Sequence, residues 1–242
     1  MTASERAKRA YVAVVGHLRG VLATIGLLGL LDRWARRSRT GLWVRSWLAV
    51  YDLDDLIALD TPWWTFEAAD EVAAFLLDRP GARVFEWGSG ASTIWLGARA
   101  GTVITVEHDA AWSEHIAGAL PATVTLILEE PRSSDTPRIG SAKPGFAGLD
   151  FSAYVAALDA VDGDFDLIVI DGRAREACLA RAVQRLRPDG LIVVDNVERG
   201  RYRAAIALVA NRGLTVQWTR GRTPALPYPT QTALLSRSVA TR

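Results

Sequence analysis

The chain has a single cysteine, Cys178, so neither an intrachain disulfide framework nor a multi-cysteine zinc site organises it. Set in a helical pattern, that thiol reads as inert packing. An excess of either charge is also missing. The 28 basic residues stand against 27 acidic ones, for a formal charge of +1. This balance provides no overall field for a polyanion, so nucleic acid is not expected as a partner and a small-molecule acceptor is favoured. No small-residue cleavage site follows the apolar N-terminal stretch, which argues against a secretory signal and for a cytoplasmic protein. What is present is 242 residues, half of them hydrophobic, enough to bury one full α/β core with something left over.

The most informative stretch is Val84-Phe85-Glu86-Trp87-Gly88-Ser89-Gly90-Ala91-Ser92-Thr93, followed by a second apolar run that ends on an acid, Val103-Ile104-Thr105-Val106-Glu107. A short apolar run bounded by glycines and leading into a helical pattern reads as a buried parallel strand feeding a helix. Gly88 and Gly90 let the backbone turn tightly, so that a ligand can approach the main-chain amides at the start of the helix. Glu107 closes the neighbouring strand, where a carboxylate accepts both hydroxyls of a ribose. A dinucleotide fingerprint would need a third glycine where this chain has Thr93, and no acid where it has Glu86. A carboxylate there repels a pyrophosphate and suits a ligand with a cationic end.

From Ala82 onward strand and helix patterns alternate, which predicts a doubly wound α/β sheet. Strands are expected at Arg83 to Trp87, Val103 to Glu107, Thr123 to Leu128, Phe165 to Ile170, Leu191 to Val194, Leu214 to Thr219 and Gln231 to Ser236. Helices are expected at Ser92 to Ala100, Trp112 to Leu120, Phe151 to Val161, Arg175 to Arg187 and Arg201 to Asn211. The polar segment from Glu130 to Asp150, with three prolines and three glycines, is either an active-site lid or a disordered insertion. Chemistry is expected where the carboxyl ends of the strands meet at the switch of strand order. There the fourth strand delivers Asp171 and the fifth delivers Asp195 and Asn196. Two carboxylates and an amide oxygen are hard ligands of the kind that hold magnesium. Equally, Asp171 would contact a ligand while Asp195 and Asn196 cap a turn.

The acid, any residue, Gly-x-Gly motif at Glu86, Gly88 and Gly90, with the ribose acid Glu107, resembles the class I S-adenosylmethionine-dependent methyltransferases. The resemblance covers about Thr61 to Arg237 and implies a Rossmann-like seven-stranded sheet of order 3-2-1-4-5-7-6, the last strand antiparallel. It also implies that Glu86, Gly88, Ser89 and Gly90, followed by Ser92 and Thr93, line the cofactor, with Glu107 and His108 at the ribose. The Asp171, then Asp195-Asn196 pattern is similar to that of metal-dependent catechol and caffeoyl-coenzyme A O-methyltransferases, which implies transfer to an oxygen of a small acceptor with magnesium. Those enzymes commonly place a lysine base where this chain has Ala174. Arg173 and Arg175 flank that position and stay protonated, so they serve as clamps for a substrate anion or as solvated charges. The base is then sought in His108 or Asp171. The run Pro62-Trp63-Trp64-Thr65 places Trp63 and Trp64 either over the cofactor or a ring-shaped acceptor, or in a staple at a helix entry capped by Thr65. Together these segments resemble a group of bacterial methyltransferases of undetermined substrate.

Residues 1–60 form a helical extension ahead of the domain at 61–242. Tyr11 to Leu31 is almost wholly apolar, between basic flanks, and has the length of a membrane span, but Arg19 near its centre costs about 3 kcal/mol on insertion scales. Leu42 to Leu59 is a second helical pattern, rich in tryptophan. Peripheral membrane contact through residues 11–59 competes with a cap on the core or a homodimer element, and the cap or dimer is favoured. Rival activities are aminopropyl transfer on the same fold, which calls for extra acids around the site, and nicotinamide-dependent oxidoreduction, opposed by Glu86 and Thr93. A non-catalytic membrane or partner-binding protein is the third.

Overall fold

The computed structural model describes residues 3–49 and 52–237. Seven strands form one twisted sheet, β1 (Arg83–Trp87), β2 (Thr102–Glu107), β3 (Val124–Leu128), β4 (Phe165–Ile170), β5 (Leu186–Asp195), β6 (Leu214–Gly221) and β7 (Thr230–Arg237). Their order is β3-β2-β1-β4-β5-β7-β6, and β7 pairs antiparallel with both of its neighbours. This is the Rossmann-like arrangement expected from the sequence. The polar segment after β3 carries a separate two-stranded ribbon, Arg132–Ser133 with Leu149–Asp150, so its two ends are tied together.

Burial on both faces explains why the central strands are so apolar. In β4 every residue is buried, Leu167 and Val169 on one face and Ile168 and Ile170 on the other. The first face packs against α5 (Phe66–Leu77) and α6 (Ala91–Gly97) through Ala68, Val72, Leu76, Trp95 and Leu96. The second packs against α8 (Ser152–Ala156), α9 (Arg175–Ala182) and α10 (Gly200–Ala210) through Tyr154, Leu179 and Ile206. Cys178 is buried in this second layer. Burying one such side chain stabilises the fold by about 2 kcal/mol. Helix α7 (Ala110–Ala117) lies against β2 and β3 and is capped by Asp109, whose carboxylate accepts from Trp112 N at 3.1 Å. As expected, Thr65 caps α5, accepting from Ala68 N.

The N-terminal extension differs from the single apolar span and single second helix read in the sequence. The apolar stretch breaks at Gly26 (φ 76°) into α1 (Ala3–Thr24) and α2 (Leu27–Ala35), bent by 99° across the break. Among the described residues no single helix is long and apolar enough to cross a membrane. The tryptophan-rich pattern divides into α3 (Arg39–Ser46), a short 3-10 turn (Trp47–Ala49) and α4 (Leu53–Ala58). These later elements dock on the sheet domain. Trp43 Nε1 donates to the Leu226 carbonyl at 2.8 Å, and Ala225 N donates to Ser46 Oγ at 2.7 Å. Arg45, buried, ties α2 to α4 by donating to Asp32 at 2.6 Å and to both carboxylate oxygens of Asp55.

The extension therefore has a loose part and an integral part. Removing residues 1–37 should cost about 2 kcal/mol, from the Arg19 pairs and from the loss of Asp32 as one of the two carboxylates that hold buried Arg45. Removing residues 1–60 should uncover the sheet domain's seat for Trp43 and Ser46 and cost several kcal/mol. Thermal unfolding of the two truncations checks the contrast.

Candidate active site

The site lies at the carboxyl ends of β1, β2 and β4, where strand order reverses between β1 and β4. The register sets Trp87 beside Ile170, so the chains leaving these two strands run side by side. Asp171 N donates to the Trp87 carbonyl at 3.0 Å, and Gly88 N donates to the Val106 carbonyl at 2.9 Å. Gly88 (φ +98°) has no room for a side chain, since a Cβ would come within 2.7 Å of the Gly172 backbone. At Gly172 a Cβ would collide with Tyr154 Oη. This close approach leaves a cleft of about 450 Å³, walled by Gly88 to Ser92, Glu107 to Asp109, Trp112 and Asp171 to Arg173. Its other walls are Leu53 and Leu56 of α4, Trp63, and Lys143 and Phe146 of the polar segment.

Glu107 stands in the wall as the ribose reading expects, already set in place. Its Oε1 accepts from His108 N at 2.7 Å and Asp109 N at 2.9 Å. Its Oε2 accepts from Ser89 N at 3.1 Å and Ser89 Oγ at 2.8 Å. Burial alone would raise its pKa. The His108 ring, with Nδ1 2.6 Å away, and the surrounding N–H and hydroxyl donors outweigh that and hold the carboxyl below its ordinary value. Ser89 Oγ occupies one lone pair that a ribose hydroxyl would take. His108 packs among Phe146, Phe151 and Tyr154, with ring centroids 5.6 to 5.9 Å away.

Two residues assigned to the cofactor by resemblance are set behind the wall. Strand alternation puts Glu86 on the same sheet face as Val84, under α6, where it is wholly buried. Its carboxyl accepts from Ser92 Oγ at 2.6 Å, Thr93 Oγ1 at 2.5 Å and Thr105 Oγ1 at 3.0 Å. Thr93, also fully buried, accepts from Gly90 N at 2.9 Å. Glu86 and Thr93 thus fasten the glycine turn to its helix and do not line the cleft, whereas Ser92 does both. Desolvation pushes the Glu86 pKa up to about 7.

The expected metal ligands Asp171, Asp195 and Asn196 each have another account in this structure. Asp195 is buried and its Oδ1 accepts from Thr232 Oγ1 at 2.6 Å. Neither Asp195 nor Asn196 lines the cleft that Asp171 faces. Asn196 has a left-handed backbone (φ 54°), a conformation that asparagine tolerates, which accounts for its place after β5 without a ligand role. Arg175 bridges the tips of β4 and β5. Its Nη2 donates to Asp171 Oδ1 at 2.9 Å and to the Asp171 carbonyl at 2.6 Å, its Nε to the Gly172 carbonyl at 3.1 Å, and its Nη1 to the Asp195 carbonyl. No cluster of three His, Cys, Asp or Glu side chains suited to a metal occurs among the described residues. Arg175, buried and committed to these groups, is likewise no clamp for a substrate. Asp171 remains in the wall, its pKa raised by burial against the pull of Arg175. Burial and the Asp171 charge push Asp195 to about 8.

The tryptophan pair also divides. Trp63 lines the cleft, and its buried indole N–H has no hydrogen-bond partner among the described residues. Trp64 is core, edge-on to Trp95 at 6.0 Å. Sequence reading missed Trp112, whose Nε1 donates to the Ser89 carbonyl at 3.0 Å and spans the cleft mouth. It also missed Leu53, Leu56 and Phe146. An aromatic one turn after the ribose acid was a usable signal for Trp112; nothing local marks the other three.

No protein-family model and no curated protein matches the chain. Solved structures do. An O-methyltransferase from Bacillus cereus in complex with SAH superposes with a TM-score of 0.56 at 16% identity, over 81% of this chain and 98% of that one. TomG, the O-methyltransferase from Streptomyces achromogenes involved in tomaymycin synthesis, in complex with SAM, gives 0.54 at 16%, covering 83% and 99%. Cofactor-bound Rv0187 from MTB gives 0.51 at 20%, covering 78% and 89%. The chain therefore has the class I S-adenosylmethionine-dependent methyltransferase fold.

Glu86 carries a pH signature. Its folded pKa lies above the unfolded 4.5, so the folded state holds the proton more tightly and stability falls as pH rises from about 4.5 to about 7. Glu86→Gln should remove of order 3 kcal/mol of that pH dependence, seen as a flatter plot of unfolding free energy against pH than that of the wild type.

Proposed function

We propose that this chain is an S-adenosylmethionine-dependent methyltransferase that acts on an oxygen of a small acceptor. The observation that carries the reading is the cleft itself, in which the glycine turn, the preset carboxylate of Glu107 and Asp171 converge at the switch point of a methyltransferase sheet. The donor set fits the cofactor. Gly88 and Gly90 leave the turn's backbone open, Glu107 is placed for the ribose, and Trp63 offers an unpartnered indole N–H on the wall. When bound, S-adenosylmethionine supplies an electrophilic sulfonium methyl.

The remaining chemistry belongs to the chain. Asp171 accepts the proton of the acceptor hydroxyl as a general base, and its raised pKa makes it a stronger base than an exposed aspartate. Arg175 orients Asp171 and offsets part of its charge. His108 is a positioning residue that holds Glu107. Leu53, Leu56, Trp63 and Phe146 exclude water from the acceptor end. Oxygen as the methylated atom is supported by Asp171 and by the O-methyltransferases among the structural neighbours. The arginines beside Asp171 oppose the polyamine required for aminopropyl transfer.

Calorimetric titration should show binding of S-adenosylmethionine and its demethylated product but not of NAD. Glu107→Ala removes an ionised acceptor and should weaken that binding by about 2 to 4 kcal/mol in a folded protein. Unchanged affinity would remove Glu107 from the site.

Turnover should persist in excess chelator, because no step depends on magnesium. Asp171→Asn should lower kcat by about 10²- to 10⁴-fold with little change in cofactor affinity. In the wild type kcat should climb as pH rises through the Asp171 pKa, since the base acts unprotonated. Loss of turnover on chelation, restored by magnesium, would refute the assignment of Asp171.

A further inference from the structure

We infer that the acceptor end of the cleft is built for an oxyanion, so that the methyl acceptor carries a carboxylate or phosphate held by Arg173. This inference rests on the methyl-transfer reading and names its substrate class. Arg173 follows Gly172 at the tip of β4 and lines both the main cleft and a smaller recess beside it, shared with Ser141, Lys143, Arg199 and Tyr202. Unlike Arg175, it is not committed. Its Nε is buried without a hydrogen-bond partner among the described residues, and its Nη1 reaches the Gly172 carbonyl only at a long 3.3 Å. Phe146 stacks near the guanidinium at 5.1 Å, which shields the group from water without satisfying its donors. Burial and the neighbouring charge of Arg175 both disfavour its protonated form. A shielded guanidinium with unmet donors is destabilising until an anion arrives, and the planar fork suits a carboxylate or phosphate in bidentate contact. The recess is also lined by Arg199 and by the Arg201–Glu176 pair, 3.2 Å apart, in which Arg201 offsets the carboxylate. An anion seated on Arg173 lies two residues from Asp171, so it would present the rest of the acceptor to the base.

The test uses the full chain saturated with S-adenosylhomocysteine and titrated with inorganic phosphate and, separately, with benzoate. At least one anion should bind saturably, at least tenfold more weakly to Arg173→Gln, and with a smaller loss to Arg173→Lys. The tighter of the two anions tells which group the acceptor carries. Absence of saturable binding by either anion, or equal affinity in wild type and Arg173→Gln, overturns the subsite. Should Arg173→Gln fail to fold, Arg173→Lys and Arg199→Gln carry the comparison, and unchanged anion affinity in both overturns it. Failure of S-adenosylhomocysteine to bind the wild type instead refutes the methyl-transfer reading.

A second inference comes from the N-terminal helices. The geometry points to α1 and α2 as a docking surface for an anionic lipid bilayer. Val14, Leu18, Val21, Ile25, Leu30 and Trp34 are all exposed there, and α2 has no buried residue. Residues 1–37 contain seven arginines and lysines against two acids, although the whole chain is nearly neutral, and Arg33, Arg36 and Arg37 are exposed at the end of the apolar row. An apolar row between basic flanks is the composition of a helix that lies in the headgroup region, its arginines meeting anionic lipid. A second copy of the chain would bring two strongly basic segments together, which like-charge repulsion opposes.

Sedimentation with vesicles of phosphatidylcholine, alone or mixed with phosphatidylglycerol, should show binding to the mixed vesicles, weakened by salt and cut at least tenfold by Leu18→Glu with Leu30→Glu. Equal sedimentation of wild type and variant overturns the proposal. A dimer in solution that the same substitutions dissociate assigns the face to a second copy and also overturns it.

Discussion

One buried guanidinium holds the chemical end of the sheet together. Parallel strands β4 and β5 finish with their carbonyls pointing out of the ladder; β4 is followed by Asp171 and β5 ends on Asp195. Left alone, this tip would gather unpaired acceptors and negative charge in a poorly solvated place, at a cost of several kcal/mol. Arg175 meets three of those carbonyls and one carboxylate at once. Its rigid fork is what permits so many bonds from one residue; a lysine offers a point charge with no such geometry. The same contacts fix the direction of Asp171, and they set Gly172 against Gly88 to open the cleft. Charge balance, backbone satisfaction and the placing of the base thus have a common origin.

The two glutamates of the glycine motif show how environment separates like groups. Glu107 sits at a strand tip among backbone N–H donors and a histidine, which favour the anion and keep it ready to accept further hydrogen bonds. Glu86, three residues inside the layer of β1 and α6, meets only hydroxyls, and burial dominates. The first is an anionic acceptor at neutral pH. The second is a proton-sharing fastener whose job is to hold a turn that has no side chains of its own at Gly88 and Gly90. A rigid turn costs the ligand less ordering on arrival, so Glu86 acts on binding without touching the cleft.

Much of this was legible in the sequence because burial on both faces leaves a strong mark. The runs at Arg83 to Trp87 and Phe165 to Ile170 coincide with their strands. Strand β5 begins five residues earlier than its apolar run, since Arg187, Pro188, Asp189 and Gly190 look like a loop and lie in a register irregularity between the Phe165–Leu186 and Leu167–Leu191 pairs. The side of the sheet taken by Glu86 follows from simple alternation with Val84, but a motif read as a string of letters hides that geometry. Asp195 and Asn196 show the same limit. Their spelling suggests ligands, and only three dimensions reveal that a hydroxyl and a left-handed turn account for them. Arg175 escaped as a structural residue because nothing local tells a buried arginine from a solvated one at a helix start.

The N-terminal extension joins the chemistry to whatever lies outside the domain. Leu53 and Leu56 of α4 wall the cleft, and α4 is bound through Asp55 to Arg45 and through Asp55 and Asp52 to Arg19 of α1. A force or partner acting on α1 reaches the acceptor wall through the partly exposed Arg19–Asp52 pair, and one acting on α2 reaches it through buried Arg45, with no change required in the sheet. The Arg19–Asp52 pair is individually weak and screened by salt, so that link biases the position of α4 by no more than about 1 kcal/mol. That is enough to alter how tightly two leucines close over an acceptor, and too little to disturb the carboxylate of Glu107, which is held by three backbone N–H donors of its own. If α1 and α2 rest on a bilayer, the wall nearest the lipid is the one that adjusts, and cofactor binding stays independent of it.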